Sequence, residues 1–192
     1  MPNTNVFTSS HDLSILHGMT DNYETYDDTN RFLGMTTVDL PDFNFLTDEV
    51  SGPGVMGNLA IPAIAHTESL ELSLNWRVIT KEFLGFFAPH AYDLTLRLSE
   101  HAYDIANGTT KSIPTRIDFR GLSKNNTLGK IEKAAETESK STFELIRLKI
   151  YINDKEMLYY DKLNYKFKVN GTDYLADYKS AVGVISGCED TN

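Results

Sequence analysis

Residues 68–79 alternate between apolar and polar side chains without a break, and no other feature constrains the fold as strongly. Successive side chains of a β-strand point to opposite faces of its sheet, so a period of two predicts a strand with one buried and one wet face. The apolar positions are Leu70, Leu72, Leu74, Trp76 and Val78, and the polar positions between them are Glu71, Ser73, Asn75 and Arg77.

The same period recurs along the rest of the chain. Asn107-Gly108 and Asn153-Asp154 are the turn residues expected between paired strands. Ten Tyr and ten Phe also fit strands better than helices. Because several strands keep one polar face throughout, the pattern indicates a mainly β, antiparallel β-sandwich or barrel. Further strands are predicted at 91–99, 115–122, 142–152 and 156–169.

One short α-helix is predicted at 80–87, where the period changes. Thr80 is a favourable N-cap, and Glu82 follows in the first turn. An apolar stripe of Phe83, Leu84, Phe86 and Phe87 ends before Pro89. The pattern therefore predicts a single helix inside a β protein.

Four segments lie outside the regular alternating strands. Residues 20–34 form an acidic insertion, and its part at 20–31 is poor in aliphatic residues, which indicates an exposed excursion. Residues 47–58 are dense in Gly and Pro, and we expect a long hairpin loop. The apolar segment from Leu59 to Ala65 contains Pro62, so it is expected to be an edge strand or an extended arm. Residues 123–141 predict a long polar loop or hairpin tip.

Composition bounds the class of protein. The 192 residues are 41% hydrophobic, and we expect one domain over 1–192. The net charge of −9 argues against a protein that grips nucleic acid with a basic face, although it suits one that lets nucleic acid pass. Cys188 is the single cysteine, which excludes an intrachain disulfide. Residues 1–5 do not begin a signal peptide, and no apolar stretch approaches a membrane span, so folding in the cytoplasm is expected.

Catalytic and metal-binding patterns are weak. Residues 52–57 fit the spacing of a dinucleotide-binding loop, but the required strand before it is missing and Pro62 stands where the helix should run. The five histidines lack zinc-ligand spacing. Glu68 and Glu71 are a possible carboxylate pair, yet exposed strands carry such residues routinely. We therefore expect no enzyme, cofactor or metal.

Self-assembly into a larger structure explains a chain of long alternating strands better than a catalytic function does. Unpaired strand edges must be covered, since otherwise they aggregate. A ring in which the sheet of each subunit continues into the next removes these edges and encloses an aqueous bore. The polar positions Glu71, Ser73, Asn75 and Arg77 are then the candidate residues facing the bore.

The C-terminal third resembles a known family. Residues 148–156 are similar to the final hairpin of the major tail tube proteins of contractile phage tails, and 160–164 to the strand that follows. Residues 170–183 resemble the ending of those proteins, and the Gly-rich loop at 52–57 resembles an upstream loop of the family. The likeness spans roughly 38–184. The acidic insertion and Ile185–Asn192 depart from it.

The resemblance implies a structural subunit that forms hexameric rings stacked into a tube, assembled in the bacterial cytoplasm and found in the virion or in a tail-like bacteriocin. It implies sheath, baseplate or tube-initiator and tail terminator proteins as partners, with DNA, ions or effectors passing through the bore. On this analogy the loop at 47–58 reaches the neighbouring ring. Its candidate stacking residues are Asp48, Glu49, Val50, Gly52, Gly54, Val55, Met56 and Gly57.

One alternative of a different class stays open at this point. A ligand-binding or carbohydrate-binding β-sandwich module would present exposed aromatic rings in a groove. Tyr159, Tyr160 and Tyr165 are the candidates for such rings, although core or interface positions suit them equally well.

Overall fold

The strand with the strict alternation forms as predicted and organises the sheet. It runs over Glu71–Trp76 and is strand β5, with Leu72, Leu74 and Trp76 buried on one face. The strand ends at Trp76, so Val78, the last apolar residue of the pattern, is exposed.

The computed structural model describes residues 15–28, 30–34, 36–52, 56–105 and 107–182. The lone Cys188 lies outside the described residues. The elements are β1 (Ile15–Asp27), β2 (Thr36–Asp39), β3 (Phe45–Val50), β4 (Leu59–Thr67), β5 (Glu71–Trp76), α1 (Lys81–Gly85), β6 (Ala91–Asp104), β7 (Thr109–Thr127), β8 (Ser139–Ile152), β9 (Lys155–Asp161), β10 (Lys166–Val169), β11 (Thr172–Asp173) and α2 (Ala176–Val182).

All pairings in the main sheet are antiparallel, so the predicted mainly β, antiparallel class is confirmed. The strand order is β1-β6-β7-β8-β9-β10-β11. Strand β8 shares its second edge between two partners, because Ser139–Glu144 pair with β5 and Arg147–Ile152 pair with β9. Strand β2 extends the sheet beyond β5. In the described part of the chain this path does not return on itself, and the single subunit holds no closed barrel.

A mostly aliphatic and aromatic core lies on one side of the sheet. The predicted helix is present as α1, with the backbone N–H of Phe83 donating to the Thr80 side chain at 3.2 Å. Phe83 and Phe86 are buried against Trp76, at ring-centroid distances of 6.0 and 5.9 Å. The core consists of Leu33, Leu70, Leu72, Leu74, Trp76, Phe83, Phe86, Leu94, Leu96, Ile117, Phe119, Phe143, Leu145, Leu148 and Tyr160.

A second helix corrects the expectation of one. Helix α2 covers Ala176–Val182, only seven residues, so its sequence shows no sustained period. It is fixed by a local carboxylate: Asp173 accepts a hydrogen bond from the backbone of Leu175 at 3.0 Å and forms an ion pair with Lys179 at 3.1 Å. These contacts organise its N-terminal end without a long amphipathic pattern.

The strand predicted over 156–169 is two strands, β9 and β10, joined by a turn. The buried carboxylate of Asp161 accepts hydrogen bonds from the backbones of Leu163 and Asn164 and from the Asn164 amide. Tyr165 follows in the left-handed region with φ 48°. The alternation that includes Leu163 is therefore accidental, and this leucine is 70% exposed in the turn.

The acidic segment at 20–31 is also corrected. Most of it belongs to β1, which pairs with β6 over Ile15–Asp27. It is exposed along nearly its whole length, with Thr25 buried. Backbone hydrogen bonds to β6 hold the strand, and these bonds need no apolar side chain, which explains why its composition suggested an excursion.

Turn predictions succeed where Asn and Gly supply positive φ angles. Asn153 and Asp154, at φ 51° and 59°, join β8 to β9, and Gly108, at φ 65°, lies in the turn between β6 and β7. The loop predicted over 123–141 is shorter than expected, since β7 continues to Thr127 and β8 begins at Ser139.

Candidate assembly surfaces

The segment predicted as a Gly-rich loop is a β-hairpin. Strands β3 and β4 form a two-stranded sheet of their own, and the segment at 51–58 connects them. The strand predicted at Leu59–Ala65 is confirmed as an edge strand that accommodates Pro62. The loop itself is shorter than predicted, because 47–50 belong to β3.

One face of this hairpin is apolar and open to solvent. The register places Val50 opposite Leu59 and Asp48 opposite Ile61, so these four residues share a face, and Leu46 lies on the same face by alternation. Glu49, opposite Ala60, lies on the other face. Leu46, Val50, Leu59 and Ile61 are 38–53% exposed. We call this the hairpin face (Leu46, Asp48, Val50, Leu59 and Ile61).

Among the described residues, the contacts that hold the hairpin to the main sheet lie at its base. Phe45 packs on Phe167 with ring centroids 6.1 Å apart, and the hydroxyls of Thr67 and Tyr160 are 2.8 Å apart. The backbone N–H of Glu68 donates to Asn44 at 2.9 Å. Because all six residues of β3 are exposed, the rest of the hairpin projects into solvent.

The candidate stacking residues all belong to this hairpin where they are described. Asp48, Glu49 and Val50 lie in β3, and Gly52, Met56 and Gly57 lie in the connection, with Met56 fully exposed. Gly54 and Val55 lie outside the described residues.

The four candidate bore residues differ in their surroundings. Glu71 forms an ion pair with Lys124, and the Asn75 amide donates to Asp39 at 3.0 Å. Arg77 follows β5 and lies 3.5 Å from Glu136. Ser73 is only 7% exposed, and its hydroxyl is 3.1 Å from that of Thr142, so it offers almost no surface to a bore.

A wider polar face, which the sequence patterns did not single out, covers the central strands. The register aligns Asp93 with Arg120 and Arg120 with Arg147. Asp93 forms ion pairs with Arg120 at 3.4 Å and with Arg147 at 3.0 Å, and the second of these is also a hydrogen bond. Asp118 forms a similar pair with Arg116 at 3.3 Å. We call these residues, together with Glu71, Lys124, Glu144 and Lys162, the paired-charge face.

Opposite charges neutralise one another on the paired-charge face. Glu144 lies 2.8 Å from Lys162 and 4.0 Å from Lys124, and its other oxygen accepts from Ser69. Burial raises the pKa of the Glu144 carboxyl, but hydrogen bonds from Lys162, Ser69 and the backbone of Leu70 outweigh that effect and leave the pKa below its usual value. The face is therefore polar without being strongly acidic.

The aromatic side chains considered for sugar stacking do not form a platform. Tyr159 and Tyr160 are 6% and 4% exposed, and Tyr160 belongs to the core. Lys149 and Lys166 cover the ring of Tyr159, at 4.4 and 5.4 Å from its centroid. Tyr165 is exposed and its ring packs against the exposed ring of Tyr178, with centroids 5.9 Å apart, so the three candidate tyrosines do not share one open surface.

Among the described residues, no three His, Cys, Asp or Glu side chains lie close enough to hold a metal ion. No helix in the described ranges is long and apolar enough to cross a membrane.

Comparison with known proteins bears directly on these surfaces. A family model described as "Phage tail tube protein FII" matches residues 20–183, which is most of the chain. The match begins inside β1 and covers the acidic segment at 20–34, which was expected to depart from the family, and it ends before Ile185–Asn192. A search of curated proteins found no match.

Proposed function

The chain belongs to the phage tail tube protein family, and from that membership we propose that it is the subunit of the inner tube of a contractile phage tail or tail-like particle. Hexameric rings of this subunit stack into a tube that conducts DNA, or ions or effectors, to the target cell. Family membership also indicates a structural protein associated with the virion and not an enzyme.

The exposed hairpin is the observation that carries this proposal. A two-stranded hairpin is marginally stable by itself in water. Here it exposes four aliphatic side chains on one face, although apolar patches of this kind are usually covered by a partner. A contact with a subunit of the next ring covers the hairpin face and fixes the hairpin.

Closure of the ring is supported by the open ends of the main sheet. β1 pairs on one side with β6, and on its other edge the described residues cover only the C-terminal end, through the bridge between Tyr26 and Phe32 and the hydrogen bond from Leu33 to Thr25, so most of that edge is open. An open edge of this length promotes aggregation unless a neighbour covers it. Lateral contacts of this kind that close by rotation give a ring.

The bore in this proposal is lined by the paired-charge face. Apart from Lys162, which follows β9, the residues of this face lie on β5, β6, β7 and β8, which are hydrogen-bonded neighbours in one sheet. The five cations named on that face each have a carboxylate beside them, and Arg97 and Lys149, which share the face by register, contact the rings of Tyr26 and Tyr159, so most of the positive charge facing the phosphates is paired. DNA then passes without the counterion release that drives binding.

Electron microscopy of the purified protein tests the proposal. We expect rings and hollow stacked tubes, and no retention of duplex DNA on them at low salt. A strictly monomeric protein at high concentration contradicts it. Sheath, baseplate or tube-initiator and tail terminator proteins are the proposed partners, and capsid and terminase genes next to the tube gene separate a phage from a bacteriocin.

A further inference from the structure

A second group of exposed apolar side chains, close together in the chain, lies beyond the far end of β5. Val78 and Ile79 follow the strand, and Leu84 and Phe87 lie three residues apart at α1. Their side chains are 39–57% exposed. We call this the acceptor patch (Val78, Ile79, Leu84 and Phe87). Phe83 and Phe86 fill the core from the same turn, so the acceptor patch is what remains uncovered after α1 has packed.

The topology places the hairpin and the acceptor patch at opposite ends of the subunit. Strand β4 leads into one end of β5 through 68–70, and α1 follows from the other end. The six residues of β5 span about 20 Å at ~3.3 Å each. The hairpin continues the β2–β5 pair outward, because β3 follows β2 and β4 precedes β5.

Charge favours contact between unlike ends. Residues 32–76 contain no Lys or Arg, and Asp48 makes no ion pair with a described residue, so two hairpins facing each other would bring carboxylates together. At the other end, Lys81 in α1 and Lys130 and Lys133 in the adjoining loop make no ion pair within the described ranges. That loop is tied to Arg77, whose carbonyl accepts from the backbone of Thr137 at 2.8 Å. The acidic side chains of that loop, together with Glu82, balance the basic side chains at this end of the subunit, so its net charge is about zero.

We infer that the hairpin face of one copy docks on the acceptor patch of a copy in the next ring, with Asp48 directed toward Lys81. This inference rests on the proposed function, since it supplies the receiving surface of the stacking contact. Burying apolar side chains from both partners drives the association, and the ion pair selects its orientation. A contact between different surfaces does not saturate, so it repeats from ring to ring along the tube.

Truncation of the acceptor patch tests the contact. In a Leu84→Ser/Phe87→Ser variant we expect the polymerised fraction, measured by sedimentation and microscopy, to fall at least about tenfold as two apolar groups leave the interface. Circular dichroism checks that the fold persists. Leu163→Ser is the matched control, because Leu163 is an exposed leucine in the turn between β9 and β10, outside both surfaces; it should polymerise like wild type.

A charge exchange tests the orientation. Asp48→Lys and Lys81→Asp should each reduce stacking, and the double variant should recover at least about half of the lost polymer, since the pair is restored in reverse. Glu49→Lys is the control on the opposite face of the same strand and should have a smaller effect than Asp48→Lys. Failure of the double variant to recover contradicts the Asp48–Lys81 orientation.

The outcomes separate the two proposals. If wild type never forms tubes, the proposed function fails. A different result is that wild type forms tubes and the hairpin variants stop stacking, but Leu84→Ser/Phe87→Ser polymerises normally. In that case the tube proposal stands, and the assignment of the acceptor patch as the receiving surface is wrong.

Discussion

Gly121 lies at a register shift between β7 and β8, where Arg120 pairs with Arg147 but Gly121 pairs with Leu145. A Cβ atom on Gly121 would lie 3.1 Å from the carbonyl oxygen of Glu144 and 3.1 Å from the Cβ of Phe143. Both obstacles belong to the rigid β8 backbone or its first side-chain atom. Gly121 is therefore required by close packing, not by an unusual φ angle.

Replacing Gly121 with Ala should destabilise the subunit by about 1–3 kcal/mol, because the added methyl group overpacks the strand pair. Denaturant unfolding of the unassembled protein measures this cost. Gly85→Ala is the control, since nothing lies within 4 Å of its Cβ position at the end of α1. The control should be neutral or stabilising by up to about 1 kcal/mol, and equal losses in both variants would contradict the packing argument.

Asp104 holds the turn between β6 and β7. Hydrogen bonds from Lys111 at 2.7 Å and from the side chain and backbone of Asn107 keep the pKa of Asp104 well below its ordinary value. A carboxyl with a lowered pKa binds its proton more weakly in the folded state than in the unfolded state. Its contribution to stability is therefore complete at neutral pH and is lost as the pH falls below about 4, through the folded pKa.

An Asp104→Asn variant should lose stability at pH 7 and show a flatter acid limb in a plot of thermal midpoint against pH. The difference between wild type and variant should shrink as the pH is lowered from neutrality toward 2. Asp42→Asn, at an exposed position, is the control and should leave the wild-type profile unchanged. A constant difference across the range would contradict the assigned role of the Asp104 charge.

At the scale of elements, α1 is short, but it supplies two buried phenylalanines to the core. It has five residues, too few to be stable alone, so its cap and its buried phenylalanines must fix it. Thr80 accepts from Phe83, and Tyr92 donates to the carbonyls of Gly85 and Ala88 at 2.8 and 2.9 Å. Polar bonds thus hold both ends of the turn that carries Phe83 and Phe86.

Thr80→Ala should cost about 1 kcal/mol of unfolding free energy, since the backbone N–H of Phe83 loses its partner. Thr80→Ser keeps the acceptor oxygen and should stay near wild type. Chemical denaturation compares the two variants. If both lose the same stability, the threonine methyl group, and not the cap, is the stabilising feature.

At the scale of the whole molecule, the hairpin face contributes to assembly more than to the stability of the subunit. Its side chains are half in solvent, whereas the hairpin base is packed on Phe167 and Tyr160. The free energy of the apolar face is therefore realised only when another subunit covers it.

A Leu59→Ser/Ile61→Ser variant should unfold within about 0.5 kcal/mol per substitution of wild type, as exposed positions usually do. The same variant should no longer form long tubes. Unfolding curves and electron micrographs of one preparation measure both properties. Loss of the fold together with the tubes would show that the hairpin face serves the subunit itself.

The local sequence pattern predicted an element correctly where a single residue type determines the backbone conformation. The alternation at Leu70–Trp76 predicted β5, the Thr80 cap predicted α1, and Asn153-Asp154 predicted the turn between β8 and β9. The local pattern failed where pairing with another strand, or hydrogen bonds to a single carboxylate, determines the structure. Pairing with β6 makes a strand of the acidic β1, and Asp161 interrupts the pattern that continues through Leu163.

The alternation in β5 therefore determined a half-buried strand, and with it a sheet that has one wet face, because side-chain direction follows from the backbone period alone. Tertiary structure decided which polar residues are wet. Ser73 follows the same alternation as Glu71, yet Thr142 of the paired strand contacts it and Ser73 is buried, while Glu71 reaches Lys124 at the surface. The period assigns a side chain to a face, and only the neighbouring strands determine how much of that face remains open.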